Sequence, residues 1–148
     1  MTTYFEDLAV GDTFDAGSYT LEKDEIIAFA EQFDPQPFHV DEEAAKESMF
    51  GELVASGLHT LCLASKLAVE NVFDEIANLG GRGMDALQFS RPVKPGDTLS
   101  VEVEVMERSE SRHPDRGYTT LETRVDNQHD DEVLSFVMYN IVERRDEP

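Results

Sequence analysis

The chain has 148 residues, enough for one domain that buries roughly two-thirds of its unfolded surface without disulfides or metals. Its 12 Lys and Arg stand against 32 Asp and Glu, a formal net charge of -20. Such a field repels nucleic acid and anionic membranes, so neither is expected as a partner, and it repels any anionic ligand unless salt or a local basic patch opposes it.

The acids are spread along the chain between periodic apolar segments, which points to a folded core rather than disorder. A cytoplasm crowded with salt accounts for such a surface, because carboxylates hold water and screening relieves their mutual repulsion. The expectation is a halophilic protein. The start, Met1-Thr2-Thr3-Tyr4-Phe5-Glu6-Asp7, lacks the basic residues and apolar stretch of a signal peptide. No apolar run approaches the ~20 residues that span a bilayer. A soluble, cytoplasmic protein is therefore expected.

In chain order, a turn at Gly11-Asp12 precedes a short strand over Thr13 to Tyr19. From Lys23 to Phe33, apolar residues at 26, 27, 29, 30 and 33 predict an amphipathic helix. Pro35 and Pro37 end it and are expected to hold an extended, looped segment through His39. Asp41-Glu42-Glu43 reads as the acidic first turn of a short helix capped by Asp41.

A longer helix is predicted from Ser56-Gly57 to about Phe73. Its apolar residues cover most of the circumference, so it is expected to be enclosed, with Cys62, the single cysteine, acting as a small hydrophobe. Gly80-Gly81-Arg82-Gly83 reads as a flexible connection. Beyond it the period changes to two. Strands are expected over Ala86 to Arg91, Leu99 to Val105, Tyr118 to Val125 and Glu132 to Val142, with Pro95-Gly96-Asp97 as a tight turn. One strand, then helices, then four strands implies an α+β domain whose antiparallel sheet wraps a long central helix.

Phe33-Asp34-Pro35-Gln36-Pro37-Phe38-His39 places two titratable groups in a stretch stiffened by two prolines. A carboxylate beside an imidazole offers an acid and a base near neutral pH; taken alone, a turn aspartate and a loop histidine explain the same residues. Ala55-Ser56-Gly57-Leu58-His59 opens the long helix, where free backbone N–H groups and the positive end of the dipole converge. Glycine lets a ligand oxygen approach there, giving an oxyanion site for a thioester carbonyl. A plain Ser56 N-cap with Gly57 as a packing residue is the competing reading.

Asp34 to His39, followed by Ala-Ser-Gly-Leu-His-Thr, resembles the MaoC-like dehydratases, which include the (R)-specific enoyl-CoA hydratases. Phe89-Ser90-Arg91-Pro92-Val93-Lys94-Pro95-Gly96-Asp97-Thr98-Leu99 looks like the strand and turn of that family. The likeness runs from about Phe5 to Val142 and implies a single hot-dog domain over 1–148 and a homodimer, or a higher assembly of dimers, with its sites near the interface.

The resemblance also implies roles. Asp34 and His39 would activate water for syn addition to C3 of a trans-2-enoyl-CoA and manage the proton at C2. Gly57 would donate its N–H to the thioester oxygen, with Ser56 and Ser65 as further substrate-binding residues. Coenzyme A enters as part of the substrate; no cofactor or metal is implied. Many hydratases of the family carry a histidine immediately before the matching glycine, where this chain has Ser56, and His59 reads as a core or supporting histidine instead. His113 and His129 read as solvated surface without the spacing of a zinc site. Arg82, Arg91, Lys94 and Arg112 are candidates for coenzyme A phosphates, although each alone reads as a surface residue. Two rivals keep the fold: an acyl-CoA thioesterase and a non-catalytic acyl-thioester-binding subunit.

Overall fold

The computed structural model describes residues 1–145. A short 3-10 turn, Phe5–Asp7, precedes β1 (Thr13–Thr20), α1 (Lys23–Phe33), α2 (Pro37–Val40), α3 (Glu42–Lys46) and α4 (Gly57–Asn71). Four strands follow: β2 (Asn78–Phe89), β3 (Thr98–Glu110), β4 (Arg116–Asp126) and β5 (Glu132–Glu143). All five strands form one antiparallel sheet in the order β1-β3-β4-β5-β2, with α4 packed on one face of it. The α+β outline read from the sequence is the one the chain adopts.

Alternation builds the buried face of the sheet. Leu99, Val101, Val103 and Val105 of β3 are buried while Ser100, Glu102 and Met106 point to solvent. Against them α4 lays Leu63, Ala64, Leu67 and Ala68, and each leucine so buried contributes about 1.5–3 kcal/mol. The far end of α4 is tied to β1. A bulge between Asp15 and Ser18, with Gly17 at φ +89, frees the carbonyl of Ala16, which accepts a hydrogen bond from Asn71 Nδ2 at 2.8 Å. At the other end of the sheet Lys94-Pro95-Gly96-Asp97 forms the expected turn, with Gly96 at φ +89 and Asp97 Oδ2 accepting from the Lys94 N–H.

Four expectations need correction. The segment through His39 is not extended: α2 is a helical turn that starts on Pro37, because proline at the first helical position forfeits an N–H that has no partner anyway. Gly80 to Gly83 is not a connection but part of β2, which starts at Asn78, ends at Phe89 and pairs with β5 through several register shifts. Glycines at bulges satisfy the ladder only once β5 is alongside. The long helix ends at Asn71 and is not enclosed. Its sheet-facing stripe is buried, but the opposite one is open, with Leu58 44% and Val69 54% exposed. Cys62 lies on that open stripe and is exposed. The edge strand β2 likewise leaves Leu79, Met84, Leu87 and Phe89 uncovered. No helix among the described residues is long and apolar enough to cross a membrane.

Candidate active site

Asp34 closes α1 as its C-cap, its N–H bonded to the Ala30 carbonyl, while His39 rides on α2. Two reciprocal contacts fix α2 against the strand-like approach to α4. The Val54 N–H donates to the Phe38 carbonyl at 3.2 Å, and His39 Nδ1 lies 2.7 Å from the Val54 carbonyl. A carbonyl only accepts, so Nδ1 carries a proton, and whenever the ring is neutral Nε2 presents a lone pair. That Nε2 faces Asp34 Oδ2 at 3.4 Å, with the His39 side chain only 7% exposed. The two prolines therefore bring the predicted pair together.

The Asp34 carboxylate is held from two sides. Ser56 Oγ donates to Oδ2 at 2.6 Å and Gln36 Nε2 donates to Oδ1 at 2.8 Å. The Ser56 bond, then Gln36 and the nearby His39, keep this carboxyl below the usual aspartate range despite the opposing effect of burial. Asp34 is thus ionised at neutral pH and acts as an acceptor. In the neutral tautomer of His39, Nε2 is also an acceptor, and a water hydrogen-bonded to both would turn its oxygen lone pairs outward.

The pair opens on a cleft of about 360 Å³. Phe38, Phe50, Val54, Val93, Val133 and Leu134 give it apolar walls, and Asp34, Gln36, His39, Ser90 and Arg91 place its polar groups. Gly57 lines the same cleft, and its N–H, in the first turn of α4, meets no acceptor among the described residues. A Cβ at Gly57 would lie 2.6 Å from the Phe89 ring, so glycine there serves close packing as well as an open backbone.

Ser56 and Ser65, expected as substrate-binding residues, are not among those that line the cleft. Ser56 is fully buried, with its hydroxyl occupied by Asp34 on one side and the Leu58 N–H on the other. It caps α4 and holds the carboxylate. Ser65 projects from the open stripe of α4, outside the lining of the cleft, because the helical phase that buries Ala64 and Ala68 turns it away from the sheet. His59, expected as a core or supporting histidine, is half-buried on α4 and lies outside the lining of the cleft. It stacks on Phe29 at 4.4 Å and 7°, with Nδ1 buried and unpartnered among the described residues, and burial lowers its pKa. His113 and His129 sit exposed in turns. Among the described residues no cluster of three or more His, Cys, Asp or Glu is placed to hold a metal ion.

Gln36, Phe89 and Thr60 carry no role that the sequence alone assigns. Gln36 lies within the Asp34–His39 segment, and its position between the two prolines is the available signal. Thr60, one turn beyond Gly57, lines the cleft with a buried, unpartnered Oγ1 among the described residues. Phe89 opens the family-like strand segment, but its contact with Gly57 spans 32 residues of chain and exists only after folding.

Residues 6–127 match the family described as MaoC like domain. A MaoC-like dehydratase from Rhodospirillum rubrum superposes with a TM-score of 0.90 at 40% identity, covering 98% of this chain and 99% of that one. An R-hydratase from Pseudomonas aeruginosa, solved unliganded, superposes at 0.76 with 28% identity, covering 98% and 88%. A 3-hydroxybutyryl-CoA dehydratase from Methylorubrum extorquens is 35% identical over 109 residues, 70% of this chain and 64% of that protein. Fold, local motifs and these likenesses agree, and the chain belongs to the MaoC-like family of hot-dog-fold dehydratases.

Proposed function

We propose that the protein is a hydratase of trans-2-enoyl-CoA thioesters, forming (R)-3-hydroxyacyl-CoA reversibly, with Asp34 and His39 as its acid–base pair. The observation that carries this reading is the pair itself: two groups 3.4 Å apart, lining a largely apolar cleft that is also lined by Gly57, whose N–H meets no acceptor among the described residues. The likeness to an R-hydratase and to a 3-hydroxybutyryl-CoA dehydratase lends support.

In the hydration direction, the water held by Asp34 and His39 attacks C3. As the C3–O bond forms, Nε2 of His39 takes a proton from the water and the C2=C3 electron pair moves into an enolate. Asp34, kept ionised by Ser56 and Gln36, stabilises the imidazolium. The enolate oxygen accepts from the Gly57 N–H. The imidazolium then returns its proton to C2 on the face that received the hydroxyl, which makes the addition syn and restores neutral His39. One water is consumed and no other reactant is needed.

We further propose a homodimer in which β2 and the open stripe of α4 are covered by a second copy, since both leave large apolar side chains in water. Met84→Asp on β2 should then yield a monomer by light scattering; an undisturbed dimer would place the interface elsewhere.

The reaction is tested by incubating the purified protein with crotonyl-CoA in high salt, following enoyl absorbance and free thiol together. Absorbance loss without thiol is expected. Thiol release would indicate a thioesterase, and no change in either a binding subunit.

A further inference from the structure

Resting on the reading of the cleft as an acyl-thioester site, we infer that Arg91 is the docking cation for an oxyanion carried by the substrate. A protein of net charge -20 repels such a group, so a cation at the point of entry has a disproportionate effect on capture. Among the described residues Arg91 is the one Lys or Arg that lines the cleft.

It is also uncommitted. Arg124 donates to Glu102, Glu104 and Glu122, Arg116 to Asp115, and Arg108 to the Phe5 carbonyl, while Arg82 stacks over Tyr118. Arg91 donates no hydrogen bond within the described residues. Its counter-charge, Asp131, stands 4.0 Å away, with the two side chains 58% and 46% exposed. A pair so separated and so hydrated is readily exchanged for a better acceptor. The guanidinium offers five N–H donors in a planar fork that fits a carboxylate or a phosphate.

The backbone beneath it is fixed relative to the reacting groups. The Ser90 N–H bonds to the Val133 carbonyl at 2.9 Å, and the Ala55 N–H bonds to the Val93 carbonyl at 2.8 Å, with Pro92 between. Ala55 directly precedes Ser56 and Gly57, so Arg91 is anchored to the start of α4. The shared chemistry is an oxyanion, and two sources can supply it: the phosphates of the thioester carrier, or a second carboxylate on the acyl group.

Three thioesters separate these sources: crotonyl-CoA, crotonyl-pantetheine, which carries no charge, and a pantetheine thioester of a 2-enoic diacid. Arg91→Gln is expected to lower kcat/KM for an anion-bearing thioester at least tenfold more than for crotonyl-pantetheine, chiefly through KM. Arg91→Lys should recover part of the loss. The thioester that shows the effect names the source. An equal change on all three thioesters, or none on either charged one, would overturn the inference. Calorimetric binding of coenzyme A and of the diacid thioester gives a readout independent of turnover. Binding weakened in Arg91→Gln, with no turnover by either protein, would sink the hydratase reading and leave the role of Arg91 standing. Binding unchanged by the substitution would remove that role whatever the turnover.

Discussion

Replacing Ser56 by alanine removes two hydrogen bonds at once, and the structure gives the scale of each. The cap bond to the Leu58 N–H, 3.2 Å long, is worth about 1 kcal/mol. The bond to the ionised Asp34, 2.6 Å long, is of the charge-assisted kind and contributes about 1.5–3 kcal/mol. Their loss should destabilise the fold by about 2.5–4 kcal/mol, which for a chain of this size lowers Tm by roughly 5–16 °C. Ser56→Gly retains most of the cap and should fall between alanine and wild type. The pH dependence supplies an independent check. Asp34 has a folded-state pKa below its ordinary 3.8, with Ser56 as the first cause. Its stabilising contribution is therefore complete above that ordinary value and lost as pH falls through the depressed one. The part of the Ser56→Ala deficit that comes from Asp34 should be full at pH 7 and shrink as the solution is acidified below the ordinary value. Urea unfolding at molar salt over a pH series measures both effects. A variant within about 0.5 kcal/mol of wild type at pH 7 would refute the assignment of Ser56 as the holder of Asp34.

Gly57→Ala places a methyl 2.6 Å from the Phe89 ring, and overpacking of this kind should cost about 1–3 kcal/mol; Gly57→Ala/Phe89→Ala should recover the stability, and equal instability of single and double variants would show that the clash lies elsewhere. Burial lowers the pKa of His59, so the unfolded chain takes up its proton first and stability falls as pH drops below about 6.5. His59→Phe keeps the stack on Phe29 and should flatten that fall in thermal melts across pH 5–7; an unchanged slope would assign it to other groups. The halophilic expectation predicts a fold stable in molar salt and lost at low salt. On the sheet surface Arg124 alone bridges Glu102, Glu104 and Glu122, and equal melting temperatures in both conditions would remove the expectation.

What could be read in advance follows a physical division. β3 was legible because its alternation is local: each side chain chooses core or solvent by its own polarity. Asp34 and His39 were legible as a pair because the prolines between them bring the two together over five residues. The turn at Pro95-Gly96-Asp97 carries its backbone angles in its residue types. The helical turn at Pro37 was misread because one residue type serves both an extended segment and a first helical turn, and the Val54 carbonyl that receives His39 lies 15 residues away. Similarly, Ser56 reached Asp34 across 22 residues, a contact invisible to spacing. The glycines of β2 looked like a linker because their partner, β5, comes last in the chain. Nor does an apolar circumference distinguish a helix enclosed by its own chain from one with a stripe left open, as in α4.

The proposed hydration chemistry depends on the Asp34–His39 pair. Its most direct test is kcat/KM for hydration of crotonyl-CoA in high salt by wild type, Asp34→Asn and His39→Gln, each first shown to fold by circular dichroism. Loss of one member of an acid–base pair should cost about 10²–10⁴-fold with the fold intact. Full hydratase activity in either folded variant would contradict the account.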